Sequence, residues 1–248
     1  MDFKEALASV NEKFKVYKGL VDGVGFRKIN HLIVSGEPGI GKSYEAEELL
    51  SAHAQVKRAR VCKSSGHMTP LALYNHLFKY RNETDINLFD DCDSVFKVAH
   101  TLNLLKAATD TIPERYITWE STSTKVAATS FNFKGSVVLL TNVDMHAKID
   151  MYRPLLDRVH YYRLELSPEE KVARIISVLF KKGKGQQGLD DVAGWLIANY
   201  ERFGRFLSIR TAVKMIQLAA MSKDWKRIVE ETMIPPEDEQ GGADVKEL

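Results

Sequence analysis

Cysteine is almost missing from this 248-residue chain: Cys62 and Cys92 are its two thiols. They make no disulfide framework, and neither stands at metal-ligand spacing, which excludes a stapled secreted scaffold and a zinc-finger type of site. No apolar run approaches the roughly 18 residues of a membrane span, and Met1-Asp2-Phe3-Lys4-Glu5 lacks the apolar stretch of a secretory signal. A reducing cytoplasm and no membrane partner are therefore expected. There is no internal repeat and no dense Lys/Arg block. His53, His76, His100 and His160 share no spacing that suggests a metal and read as structural. Only the end is compositionally biased, with Glu237, Asp238, Glu239, Asp244 and Glu247 against Lys246. With a net charge of +2 overall, the rest of the chain carries about +6, which permits nucleic-acid contact without demanding it. A hydrophobic content of 44% is ordinary for a chain with a real core.

What is present is Gly36-Glu37-Pro38-Gly39-Ile40-Gly41-Lys42-Ser43. It fits G-x-x-x-x-G-K-[ST], the phosphate-binding loop, in the context that motif requires. His31–Ser35 before it reads as a buried strand, and Tyr44 to Ala52 after it as a helix rich in Glu, Ala and Leu. Glycines let backbone N–H groups close around phosphate oxygens, and the helix N-terminus adds partial positive charge. Lys42 would reach the β- and γ-phosphates, and the Ser43 hydroxyl would ligate Mg²⁺. The expected nucleotide-binding set runs from Gly36 through Ser43 to Tyr44, with a nucleoside triphosphate and Mg²⁺ as cofactors.

The pattern along the chain alternates strand and helix up to Leu166. Phe3–Val16 reads as a short amphipathic helix, followed by a linker spotted with Gly19, Gly23 and Gly25. Strands are expected at Lys57–Cys62, Ile86–Phe89, Ser136–Thr141 and Tyr161–Leu166, with short ones at Tyr116–Trp119 and Phe131–Phe133. Helices are expected from Thr69-Pro70 through Tyr80 and over Val95–Ala108. Alternation of this kind argues for an α/β fold with a parallel sheet flanked by helices. Ser167-Pro168-Glu169-Glu170 then opens a purely helical stretch, Glu169–Phe180, Asp190–Arg202, Phe206–Ser222 and Trp225–Glu231, with a loop at Gly183–Gly188. The expected domains are 1–30, an N-terminal helix and linker; 31–166, the α/β body; 167–234, a small all-helical lid; and 235–248, an acidic, disordered tail.

Ile86-Asn87-Leu88-Phe89-Asp90-Asp91 is an apolar strand ending in acids, the Walker B pattern. Asp90 would hold Mg²⁺, directly or through water, and Asp91 stands where the residue that polarises the attacking water belongs. Ser136–Thr141 ends in Asn142, which would orient that water or touch the γ-phosphate. Arg158, after Pro154-Leu155-Leu156-Asp157, would complete a neighbour's site by stabilising charge on the transferring phosphoryl group, or else make a surface salt bridge. Arg210 opens the third helix of the helical stretch, from which it would touch the phosphates.

This ordered set resembles the AAA+ ATPases over about residues 20 to 222. The resemblance implies that Asn142 is sensor 1, Arg158 the arginine finger and Arg210 the sensor 2 arginine of the lid, with Phe26 and its neighbours near the adenine. It also implies ATP, active sites shared between subunits of a homo-oligomer (a ring or spiral, hexameric by expectation), and a protein or DNA client. Thr69–Tyr74, Phe89–Ser94 and Ile117–Trp119 are similar to ATPases of tailed bacteriophages, for which the compartment would be the host cytoplasm. One departure stands out: the family's catalytic acid is Glu, and Asp91 is one methylene shorter. Slow hydrolysis is one consequence; otherwise Asp91 or Asp93 reaches the water by another route. The alternatives are an ATP-gated scaffold or DNA-binding filament protein with little hydrolysis, and less readily a phosphotransferase. Ser64–Met68 and Glu120–Ser130 occupy the places of substrate-facing loops in the family.

Overall fold

The computed structural model describes residues 2–56, 58–120, 125–183 and 188–236. The acidic tail from 237 onward, with parts of the loops expected around 120–130 and 183–188, lies outside the described residues. The chain divides into two units: Lys15–Gly36 with Lys42–Leu164, and Met1–Phe14 with Glu37–Gly41 and Glu165–Leu248.

The first unit is built on strands β1 (His31–Gly36), β2 (Arg60–Ser65), β3 (Asp85–Asp90), β4 (Tyr116–Thr118), β5 (Ser130–Asn132), β6 (Ser136–Thr141) and β7 (His160–Leu164). Five of them form one parallel sheet in the order β2-β3-β6-β1-β7, while β4 and β5 pair antiparallel as a separate hairpin. Every residue of β3 and β6 is buried, which is why Ile86-Asn87-Leu88-Phe89 and Val137–Leu140 read as apolar runs rather than alternating ones. Register aligns Ser35 with Thr141 and Asp90 with Leu140, so the carboxyl ends of β1, β3 and β6 finish at one edge. Helices α1 (Phe3–Gly25), α2 (Lys42–Gln55), α3 (Pro70–Lys79), α4 (Ser94–Lys97), α5 (Ala99–Ala108) and α6 (Ile149–Leu156) precede or connect the strands. A core of Ile33, Tyr74, Leu77, Phe89, Phe96, Leu105, Phe133, Leu139 and Leu155 fills the space between sheet and helices.

Several elements of the first unit differ from the sequence expectation. The linker with Gly19 and Gly23 is helical, and α1 runs on to Gly25, because buried Phe14, Tyr17, Val21 and Val24 continue one helical stripe. That burial outweighs about 1 kcal/mol of helix propensity lost at each glycine. The helix expected over Val95–Ala108 is broken at Val98, whose backbone is extended; Thr101 satisfies the freed carbonyls of Val95 and Val98 with its hydroxyl at 2.6 and 2.7 Å. Finally, β2 runs Arg60–Ser65 against the expected Lys57–Cys62, whose first residue lies outside the described residues.

The second unit is helical: α7 (Pro168–Lys182), α8 (Leu189–Asn199), a 3-10 segment (Tyr200–Phe206), α9 (Ile209–Met221) and α10 (Trp225–Thr232). Val172, Ile175, Leu179, Leu196, Phe203, Met215, Trp225 and Val229 form its core. A capping box starts α7: the Glu170 N–H donates to Ser167 Oγ at 3.2 Å, and the Ser167 N–H donates to the Glu170 carboxylate at 2.8 Å. The helix expected as far as Arg202 stops at Asn199, whose own backbone (φ −131°, ψ 7°) leaves the helical region; the 3-10 segment that follows is kinked at Gly204, with φ 49° and ψ −129°.

Candidate nucleotide site

The phosphate-binding loop begins and ends in the sheet unit, while its apex, Glu37–Gly41, counts with the helical unit. At the apex Gly39 and Gly41 have φ of +76° and +97°, conformations that side-chain-bearing residues rarely adopt. A Cβ on Gly39 would also stand 2.4 Å from the Ser208 Cβ. The apex is tied down from the helical unit by three contacts. The Ile209 N–H donates to the Gly39 carbonyl at 2.9 Å, the Arg174 Nε–H faces the Ile40 carbonyl at 3.5 Å, and Lys171 forms an ion pair with Glu37. Pro38 lies between these anchors. Arg210 is exposed on the first turn of α9, one residue beyond Ile209.

In the sheet unit the polar side chains converge where the strands end. Lys42 leaves the loop at the start of α2 and is buried; its Nζ donates to the Gly36 carbonyl at 2.7 Å and to Asn142 Oδ1 at 3.1 Å. Asn142 Nδ2 in turn donates to Asp91 Oδ1 at 3.0 Å. Alongside, Ser43 Oγ donates to Asp90 Oδ1 at 2.6 Å. Five expected residues, Lys42, Ser43, Asp90, Asp91 and Asn142, thus form two adjacent hydrogen-bonded runs. Tyr44 follows on α2 with 48% of its surface exposed. Asp91 has φ +53°, a left-handed backbone that Asp tolerates better than most residues. Its N–H donates to the Leu140 carbonyl at 3.1 Å, which continues the sheet's bonding one residue past β3 and holds the turn. Asp93 accepts a hydrogen bond from the Thr141 hydroxyl, so it is engaged in positioning β6.

A hydroxyl and a carboxylate side by side are hard oxygen donors that fit Mg²⁺, which takes one or two protein ligands and leaves other positions to water and substrate phosphates. Among the described residues no group of three His, Cys, Asp or Glu gathers to hold a metal alone. Lys63, which sequence reading missed, places its ammonium 3.1 Å from Asp90 Oδ2 and 2.6 Å from Glu47. Its pKa is raised, chiefly by the bond to Glu47. Nothing in the sequence pairs a lysine of β2 with Walker B; only the β2–β3 register does so.

Two further residues stand away from this cluster. Arg158 precedes β7, at the edge of the sheet where strands begin, and this chain does not bring it to Lys42. It lies 3.7 Å from Asp110 and donates to the Pro154 carbonyl. Phe26, placed near the adenine by resemblance, sits at that same starting edge, 4.6 Å from the His53 ring and 4.6 Å from the Arg58 guanidinium. Of the expected substrate-facing loops, Ser64 and Ser65 belong to β2. Near residue 125, the Tyr74 hydroxyl donates to the Ala128 carbonyl at 2.7 Å, and Asn75 bonds the backbone of Lys125 and Ala127.

Sheet order, flanking helices and a C-terminal helical unit define the AAA+ fold, and the solved structures that share it are AAA+ P-loop ATPases. A RuvB mutant from Thermotoga maritima superposes with a TM-score of 0.58 at 14% identity, covering 96% of this chain and 73% of that one. Domain III of the Thermotoga maritima replication initiation protein DnaA gives 0.53 at 14% identity, covering 92% of each. At such identity the likeness establishes fold alone. In sequence, the chain is similar to an uncharacterised 36.7 kDa protein of Enterobacteria phage T4, 28% identical over 245 residues, covering 91% of this chain and 75% of that protein. No family model matches.

Proposed function

We propose that this protein is a Mg²⁺-dependent ATPase that works as a homo-oligomer with active sites shared between subunits, and that couples turnover to remodelling or loading of a partner. One observation carries the reading: the run Gly36–Lys42–Asn142–Asp91 beside Ser43–Asp90, at the carboxyl edge of a parallel sheet and on a phosphate-binding loop. Ligands of open α/β sheets bind at that edge. Lys42 supplies positive charge to the phosphates, and loop N–H groups cradle them. Ser43 and Asp90 would hold Mg²⁺, which supplies neutralisation of charge on the phosphate oxygens. Asn142 holds Asp91, and Asp91 accepts the proton of the attacking water. Arg158 is assigned to a neighbouring subunit's site because it stands at the far edge of its own sheet. Arg210 is assigned to the phosphates of its own loop, next to the Ile209 contact. In this scheme the domain scheme of body (31–166) and lid (167–234) is retained as a functional division.

A second reading, an ATP-gated scaffold with little turnover, is favoured by one feature. Asp91 is held by Asn142 on a left-handed turn, and its side chain is one methylene shorter than that of Glu, which leaves its carboxylate less reach toward an attacking water. Nucleotide binding is common to both readings and is the first test. Lys42→Ala is expected to weaken binding of a fluorescent ATP analogue by at least about 100-fold, from loss of a charge-assisted contact in a buried setting. Undiminished affinity would remove the phosphate-loop assignment.

A further inference from the structure

The edge of the sheet unit opposite the phosphate loop carries a second concentration of charge. Around the starts of β2 and β3, and on the chain leading into β1 and β6, stand Arg27, Arg58, Arg60, Lys79, Arg81 and Lys134, five of them exposed and Arg81 half-buried. Contacts join them into one face. The Lys134 N–H donates to the Arg81 carbonyl at 2.8 Å, Arg81 donates to the Phe78 carbonyl at 2.6 Å, and the Arg60 N–H donates to the Thr84 carbonyl at 2.7 Å. Arg27 reaches Glu83 at 3.4 Å across the β2–β3 end. The acids within the face are engaged: Asp85 is buried under two bonds from Arg60 (2.7 and 2.8 Å), Glu83 faces Arg27, and Asp22 faces His53 at 3.0 Å.

Four of these cations lie against aromatic rings. The Arg58 guanidinium is 4.6 Å from the centroid of Phe26, Arg60 and Lys79 are 5.3 and 5.1 Å from Tyr80, and Arg81 is 4.2 Å from Phe78. Phe26 remains 50% exposed, although Arg58 and His53 both pack on it. A cleft of about 640 Å³ opens beside them between α2 and β2, with Arg60, Gln55, Ser51 and Thr84 on its walls. Six cations crowd one face, two of them paired with acids, Arg60 with Asp85 and Arg27 with Glu83; a polyanion relieves the repulsion among them. Cations alone would fit any polyanion. Guanidinium planes and ring faces ordered by mutual stacking fit unpaired bases, whose faces a duplex keeps covered.

We propose that this face binds single-stranded nucleic acid, its phosphates paired with Arg58, Lys79, Arg81 and Lys134 and its bases stacked on the outer plane of Arg58 and on Phe26. The site is independent of the nucleotide reading. It is tested with the full chain and a fluorescein-labelled 20-nucleotide oligo-dT, by anisotropy across a salt series. The combined variant Arg58→Glu, Lys79→Glu, Lys134→Glu is expected to bind at least tenfold more weakly. Its log K against log salt slope should be shallower by roughly 2, at about 0.7 per lost phosphate contact. Arg58→Lys keeps the charge and loses the plane: affinity falls a few-fold while the slope stays. Lys79→Glu and Lys134→Glu alone, both at exposed positions, report separately should the combined variant unfold. Lys42→Ala is expected to bind the oligonucleotide as the wild type does, so the two readings fail separately. The proposal is overturned by no binding at low salt, by unchanged affinity in the charge-reversed variants, or by tighter binding to a duplex or to polyglutamate of matched length.

Discussion

His31 shows how much a single residue owes to partners distant in sequence. It opens β1 and is 4% exposed; the Val137 N–H donates to its Nδ1 at 3.2 Å, and the Arg115 guanidinium lies against its Nε2. Burial first, and the Arg115 charge second, push its pKa down from 6.5 to about 3. The folded chain therefore keeps His31 neutral where the unfolded chain protonates it. Its contribution to stability is complete above about pH 6.5 and is lost as pH falls toward 3, because the unfolded state then binds the extra proton. Urea midpoints are expected to fall from pH 7 to pH 5, and His31→Gln to flatten that fall, a single group accounting for at most about 1.4 kcal/mol per pH unit. An identical pH dependence in the variant would remove His31 as the cause; His76, lowered to about 4 mainly by burial, accounts for part of the slope that remains. At this scale the phosphate loop, Asp90 and Asp91 were singled out by motif pattern, and Asn142 by its place at a strand end together with the family resemblance. Lys63, Arg115 and Arg174 were not, because each acquires its partner only through strand register or a helix packed from far along the chain.

Among the elements, caps and buried strands read through most directly. Thr69 accepts from the Ala72 N–H at 3.3 Å with Pro70 following it, and Ser167 forms its capping box, both as residue type and order imply. The misses have local causes. Glycines in α1 argue for a linker, yet four buried side chains on one stripe decide for helix. Around Pro154, the proline and nearby charges hide α6, whose tyrosine and leucine at 152 and 155 supply its buried side. The apex of the phosphate loop gives the sharpest test at this scale. Gly39→Ala adds a Cβ to a backbone with positive φ and drives it against Ser208, the N-cap of α9, whose hydroxyl accepts from the Thr211 N–H at 3.0 Å. The substitution is expected to cost at least about 1 kcal/mol in chemical denaturation. A variant as stable as wild type would mean that the loop apex and α9 separate freely.

Across the whole molecule, a parallel sheet separates chemistry by edge. Carboxyl ends carry Lys42, Ser43, Asp90, Asp91 and Asn142, while the starting edge carries Arg158 and the basic face with Phe26. An arginine at the far edge serves catalysis only if a second copy presents it, so the account makes hydrolysis depend on assembly. Motif order and the family resemblance carry that expectation, but no partner chain enters a single sequence, so ring size and client have no signature in one. The direct measurement is the steady-state ATPase rate over a wide range of protein concentration, with solution mass followed in parallel and Arg158→Ala as the comparison. Specific activity is expected to climb as oligomers form, and the variant to bind ATP yet lose turnover by a factor of at least about 10³. Specific activity that stays flat across the range, with Arg158→Ala as active as wild type, would contradict the account and leave a self-contained site.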